Sequence, residues 1–247
     1  MAGKLYIVGV GPGSPGLRTV AAINAIRDSD VIIGYNTYIN LISDLINGKE
    51  VIRSRMHEEV MRAKLAIEKA LNGHVVSLVS GGDPQVYGLA SLVLELISKE
   101  GLDLRPTVIP GVTAALAAAA RLGAPLNMDF AVVNLSNLLV SDEEIMMRIK
   151  AAASGDFVIA LYNPISKDVL IKAMNLISMF RNASTPVGIV RNAYRDGEFV
   201  ITTNLGNWMR YLEVIDMNTT LIIGNSRTYV YRGLMITPRG VTGYERD

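Results

Sequence analysis

The sequence has no cysteine among its 247 residues. That absence excludes disulfides, thiolate zinc sites, cysteine-ligated iron–sulfur clusters and cysteine nucleophiles together. It also suits a reducing cytoplasm. Charge of one sign is equally scarce: 24 Lys and Arg stand against 23 Asp and Glu, a net charge of +1. Nucleic-acid binders usually carry a basic stripe or a stronger basic bias, so no nucleic-acid partner is expected. No apolar run reaches the roughly 18 residues of a membrane span. The longest suspicious stretch, Val112 to Ala120, is an alanine-rich segment ending at Arg121. The start, Lys4-Leu5-Tyr6-Ile7-Val8, reads as a strand and lacks the basic, apolar and small-residue regions of a signal peptide. The expectation is a cytoplasmic protein with no membrane partner.

Half of the residues are hydrophobic and 19% are charged, enough apolar content for a sizeable core in one large domain or two small ones. Short β-branched runs at 4–10, 30–34, 74–80 and 105–109 alternate with helical patterns at 17–28, 35–46, 57–71 and 86–99. Such alternation predicts an α/β domain with a mainly parallel sheet. A second set follows, with strands at 130–135, 156–162, 185–190, 198–203 and 219–224 and helices at 141–153 and 167–180. The short turn Tyr194-Arg195-Asp196-Gly197 predicts an antiparallel hairpin in that half. Gly123-Ala124-Pro125-Leu126 breaks the alanine helix and suggests domains of 1–123 and 124–247. A cleft between two α/β domains is a favoured place for a ligand.

Five strand-end segments could carry chemistry. Gly9-Val10-Gly11-Pro12-Gly13-Ser14-Pro15-Gly16 formally matches a dinucleotide fingerprint from Gly11, but Pro12 and Pro15 remove two amides that a pyrophosphate could use. A plain strand-to-helix turn explains it about equally well. Ser80-Gly81-Gly82-Asp83-Pro84 ends a strongly apolar strand, where α/β proteins place ligands; Asp83, before a proline, also suits a helix N-cap. Pro110-Gly111-Val112-Thr113-Ala114 opens a helix with a hydroxyl and small residues. Leu161-Tyr162-Asn163-Pro164 and Arg191-Asn192-Ala193 end two further strands and could each be an ordinary terminus.

In this order, the five segments resemble the tetrapyrrole methylase family, and the resemblance runs over essentially the whole chain. It implies the class III methyltransferase fold: two α/β domains, S-adenosylmethionine in the interdomain cleft, S-adenosylhomocysteine as product, and a homodimer. The first domain would form the substrate trough and part of the cofactor site, and the second the adenine side. Residue by residue, the resemblance assigns Pro12, Gly81, Gly82, Asp83, Val86, Thr113, Ala114, Tyr162, Asn192 and Ala193 to the cofactor, largely through the main chain. No metal is implied, because the methyl group of a sulfonium is already activated.

Within the family, the stretches 34–39, 56–63, 119–126, 129–139 and 155–164 most resemble members that methylate ring carbon 17 of precorrin-3B or cobalt-precorrin-3 and contract the ring. The chain departs from that pattern at Gln85, Met128 and Asn137. Another precorrin position, diphthamide, or a non-catalytic ligand-binding role are the alternatives. Ring contraction would need an acid or base, and Asp129, Ser136 and Tyr35 are the candidates by position. A precorrin partner carries several carboxylates. Arg18, Arg53, Arg55, Arg191 and Arg195 lie beside the loops, although each is more often a solvated surface charge.

Overall fold

The computed structural model describes residues 3–240. It forms two compact units, Met1–Thr113 and Ala114–Asp247.

The first unit follows the sequence alternation in chain order: β1 (Lys4–Gly9), α1 (Val20–Asp28), β2 (Val31–Tyr35), α2 (Asn36–Asn40), β3 (Glu50–Ser54), α3 (Glu59–Leu71), β4 (Val75–Ser80), α4 (Ala90–Glu100) and β5 (Thr107–Ile109). Every strand pair is parallel, in the order β3-β2-β4-β1-β5. Such strands are buried on both faces and read as apolar runs. Leu5, Ile7, Ile33 and Leu78 face a layer containing Ala63, Ala66 and Val93 of α3 and α4. Val8, Ile32 and Val79 face Ile26 of α1 and Ile39 of α2. The chain moves from β1 toward one edge and from β4 toward the other, so the loops after these neighbouring strands diverge. That is the topological switch point where open α/β sheets bind ligands.

Local chemistry explains where the elements begin and end. The helical pattern from 17 resolves into a 3-10 turn at Pro15–Leu17 and then α1, whose start is fixed by Thr19 accepting a hydrogen bond from the Ala22 amide. The pattern from 86 becomes helix only at Ala90, because Tyr87 sits at φ 55° and breaks helical geometry. The pattern at 35–46 keeps one short helix, α2, and a 3-10 turn at Ser43–Leu45. Strand β3 is not foreseen by the sequence reading. It is an edge strand with charged Glu50 and Arg53 beside only two apolar residues, Val51 and Ile52.

The second unit contains α5 (Ala114–Leu122), β6 (Gly123–Ala124), β7 (Phe130–Asn134), α6 (Asp142–Ser154), β8 (Val158–Tyr162), α7 (Lys167–Ser178), β9 (Pro186–Arg191), β10 (Phe199–Asn204), β11 (Thr219–Ile223), β12 (Tyr229–Tyr231) and β13 (Leu234–Ile236). Its main sheet runs β10-β9-β11-β8-β7. The expected hairpin is present as antiparallel β9 and β10. A three-stranded sheet, β12-β13-β6, was not anticipated.

The division falls earlier than Gly123. Ala118, Ala119 and Leu122 of α5 pack against Val158, Val190, Ile222 and Met235, and β6 pairs with β13, so the alanine helix belongs to the second unit. The Gly-Ala-Pro break is the exit from a helix into a strand of the same unit.

Candidate functional site

At the carboxyl ends of the first sheet, three loops meet through glycines. The Gly82 amide donates to the Gly11 carbonyl at 2.9 Å, and the Gly11 amide donates to the Gly82 carbonyl at 3.1 Å. A Cβ on Gly111 would lie 2.1 Å from the Gly82 oxygen, and one on Gly9 would lie 2.7 Å from it. No side chain fits between these backbones. Asp83 is 9% exposed and locks the arrangement: one carboxylate oxygen accepts from the Gln85 amide at 2.8 Å, the other from the Gly111 amide at 3.0 Å. Asp83 therefore ties the β4 loop to the β5 loop. It does not cap α4, which starts only at Ala90.

Pro12 is buried directly after the Gly11 bridge. Gly81 faces Tyr38, whose ring lies 2.5 Å from where a Cβ would stand, and Tyr38 meets Tyr35 edge-on at 5.3 Å. Val86 is half-buried in the turn closed by its amide on the Asp83 carbonyl at 3.3 Å. Thr113, also half-buried, follows Gly111 at the end of the unit. The first unit thus brings Pro12, Gly81, Gly82, Asp83, Val86 and Tyr35 to one sheet edge. Gly16 is exposed, and a Cβ there would meet nothing closer than Ser14 Oγ at 3.8 Å. A dinucleotide fingerprint needs its third glycine for close helix packing, so the formal match is coincidental.

In the second unit, β8 and β9 both run antiparallel to β11, and β7 runs parallel to β8, so all three end at one edge. Tyr162 ends β8 there, 7% exposed, and its hydroxyl accepts from the Ala115 amide at 2.5 Å. This holds the start of α5, and with it Ala114, to the sheet edge. Asn163 and Asn192 sit at φ 51° and 52°, turning the chain sharply after β8 and β9. The Asn192 amide donates to the Asn218 carbonyl at 3.1 Å, and Ala193 packs on the α5 cluster. Ser136 follows β7 at the same edge, its amide donating to Asn134 Oδ1 at 3.0 Å.

Asp129 is not brought there. The Val158 amide donates to its carbonyl at 3.1 Å, at the amino end of β7, and the side chain is exposed. At about 3.3 Å per residue, the length of β7 separates it from Ser136 by roughly 20 Å. Asp129 and Ser136 share a strand but not a site.

The loop after β9 has supports that sequence reading passed over. Glu198 Oε1 accepts from the Tyr194 amide and from Arg121 Nε, each at 2.8 Å, and the Arg121 guanidinium lies 3.9 Å over the Tyr194 ring. Two of the candidate arginines are neutralised: Arg18 by Asp44 and Arg191 by Asp216, each at 2.7 Å. A depression of about 310 Å³ lined by Lys4, Tyr6, Asp103 and Arg105 opens at the amino ends of β1 and β5, the opposite edge from the glycine loops.

The profile of the tetrapyrrole (corrin/porphyrin) methylases matches residues 4–208. The chain belongs to the tetrapyrrole methylases. It is 47% identical over 241 residues to the cobalamin biosynthesis protein CbiHC of Archaeoglobus fulgidus, covering 96% of this chain and 53% of that protein. It therefore spans about half the length of that relative. It is 45% identical over 241 residues to the Salmonella typhimurium protein named "Probable cobalt-factor III C(17)-methyltransferase", covering 96% of this chain and 99% of that one. Among solved structures, the methyltransferase CobJ superimposes with a TM-score of 0.89 at 31% identity, over 96% of this methylase and all of that chain. The two α/β units are thus the fold of this methylase family.

Proposed function

We propose that the chain transfers a methyl group from S-adenosylmethionine to ring carbon 17 of precorrin-3B or cobalt-precorrin-3, or the oxidised cobalt-factor III, with ring contraction, in cobalamin biosynthesis. The observation that carries this reading is the meeting of the Gly9, Gly82 and Gly111 backbones at the switch point, locked by Asp83. The residues fit the cofactor. Gly81, Gly82 and Gly111 have no Cβ, and Ala114 and Ala193 have only a methyl, so small residues line the loops and leave their backbone open to close approach by a ligand. The cofactor supplies an activated methyl on a sulfonium. The chain's task is positioning, a contribution of about 7–11 kcal/mol at best, together with exclusion of water.

In this reading Pro12, Gly81, Gly82, Asp83, Val86, Thr113, Ala114, Tyr162, Asn192 and Ala193 form the cofactor-binding loops, as the family resemblance implies. Both oxygens of Asp83 already accept from backbone amides, so its part is to shape the loop. Tyr35 and Ser136, each at a carboxyl sheet edge, are the groups placed to handle a proton. The protein works in the cytoplasm as a homodimer, which sedimentation of the purified chain tests. No helix of the described residues is long and apolar enough to cross a membrane.

Calorimetric titration with S-adenosylhomocysteine tests the cofactor; no heat at high micromolar concentration overturns it. The mass and carbon position of the product from a panel of precorrins tests the substrate.

A further inference from the structure

Arg53 lies at the carboxyl end of β3, in register with Gly34 and next to the pair formed by Ser54 and Tyr35. It shares the sheet edge that carries the glycine loops. Its Nη1 donates to Asn36 Oδ1 and to Asn40 Oδ1, both at 2.7 Å. The two asparagines are four residues apart on α2, which puts both amides on one side of that turn.

The partners distinguish Arg53 from its neighbours. Arg18 is paired with Asp44, and Arg62 with Glu59 at 2.8 Å. Arg53 has no acidic partner among the described residues, and only Nη1 meets protein acceptors. Two neutral amides hold the guanidinium in place without cancelling its charge. Ordering a long exposed side chain costs rotamer entropy, and the asparagines meet that cost before any ligand arrives. The edge formed by Nε and Nη2 keeps two parallel N–H donors, the fork that binds a carboxylate in bidentate fashion.

A packed path links this side chain to the cofactor loop. Asn36 follows Tyr35, Tyr35 meets Tyr38 edge-on, and the Tyr38 ring fills the space beside Gly81. A group bound at Arg53 would be held at a set distance from that loop.

We propose that Arg53, pre-ordered by Asn36 and Asn40, is the receptor for one peripheral carboxylate of the substrate. This rests on the reading of the substrate as a polycarboxylate tetrapyrrole.

The test is steady-state kinetics with cobalt-factor III and S-adenosylmethionine, alongside calorimetry with S-adenosylhomocysteine. Arg53→Gln should raise KM for the tetrapyrrole at least tenfold, with S-adenosylhomocysteine affinity within twofold of the parent. Arg53→Lys, which keeps the charge but loses the fork, should fall between. The double variant Asn36→Ala with Asn40→Ala should raise KM by a smaller factor, leaving the charge but not its order. Added salt should raise KM of the parent more steeply than that of Arg53→Gln. Unchanged KM in Arg53→Gln, with an active parent, overturns the role of Arg53 alone. A parent that binds S-adenosylhomocysteine but methylates no tetrapyrrole overturns the substrate reading and this receptor with it.

Discussion

Gly11 and Gly82 exchange a pair of backbone hydrogen bonds, at 2.9 and 3.1 Å, across the two loops that leave the sheet in opposite directions. Both residues have positive φ, 74° and 62°, which L side chains adopt only under strain. The crevice of an open α/β sheet is thereby floored by backbone. Gly111 approaches the same carbonyl from the third loop.

Gly111→Ala should therefore be among the most damaging methyl additions in the chain. Its Cβ would stand 2.1 Å from the Gly82 oxygen, with backbone on every near side. A loss of about 3 kcal/mol in urea unfolding is expected, together with a large drop in S-adenosylhomocysteine affinity. Gly16→Ala, in an exposed part of the first loop, should change stability by less than about 0.5 kcal/mol. Equal effects of the two would remove the claim that backbone approach shapes the site.

Asp83→Asn tests the second lock. The amide can accept from only one of the two backbone donors that the carboxylate satisfies, and its own NH2 faces the other. Charge-assisted hydrogen bonds at a buried site contribute about 1.5–3 kcal/mol, and a loss in that range is expected. Thermal unfolding and S-adenosylhomocysteine titration should worsen together. Weakened binding with unchanged stability would point instead to a direct contact between Asp83 and the cofactor.

Tyr162→Phe keeps the ring and removes the acceptor of the buried Ala115 amide. An orphaned buried donor costs about 1–3 kcal/mol. The unfolding free energy should fall by that amount, read as a lower denaturation midpoint with an unchanged m-value, and amide exchange in the first turn of α5 should quicken. A fully protected Ala115 amide in the variant would show that another acceptor takes over.

Glu198→Gln gives a pH dependence. Burial pushes the Glu198 carboxyl up, but the Tyr194 amide and the Arg121 side chain outweigh it and leave it below its ordinary value of 4.5. A carboxylate held down in the folded state adds stability that is fully present above 4.5 and is lost as pH falls through the lower folded value. With the side chains of Arg121 and Glu198 38% and 24% exposed, the contribution should stay under about 1 kcal/mol and shrink in salt. Parent minus variant stability, measured by urea unfolding from neutral pH downward, should close below that carboxylate range. A gap that persists in acid would sink the assignment.

Much of the site was legible because its markers are local. A glycine or Asn-Pro step just after a β-branched run declares a strand end, and strand ends of a parallel sheet point to the ligand side. Gly81-Gly82, Gly111 and Asn163-Pro164 were visible in this way. Edge strand β3 was not, because one solvated edge tolerates Glu50 and Arg53 and leaves little apolar pattern. The separation of Asp129 from Ser136 has a similar origin. Residues 129 and 136 look adjacent along the chain, yet an extended strand carries them to opposite ends of the sheet.

The sequence by itself determined the class of fold and the set of strand-end loops, since hydrophobic periodicity and turn chemistry act over a few residues. Only the tertiary structure decided which loops meet. The order β3-β2-β4-β1-β5 sets Gly9, Gly82 and Gly111 against one another although long stretches of chain separate them. The packing of α5 on β8, β9 and β11 assigned the alanine helix to the second unit. The donation of Arg53 Nη1 to Asn36 and Asn40, and the pairing of Arg18 with Asp44, separated a charge left open from one already cancelled. Those outcomes depend on distances across the fold, which no local pattern of residues encodes.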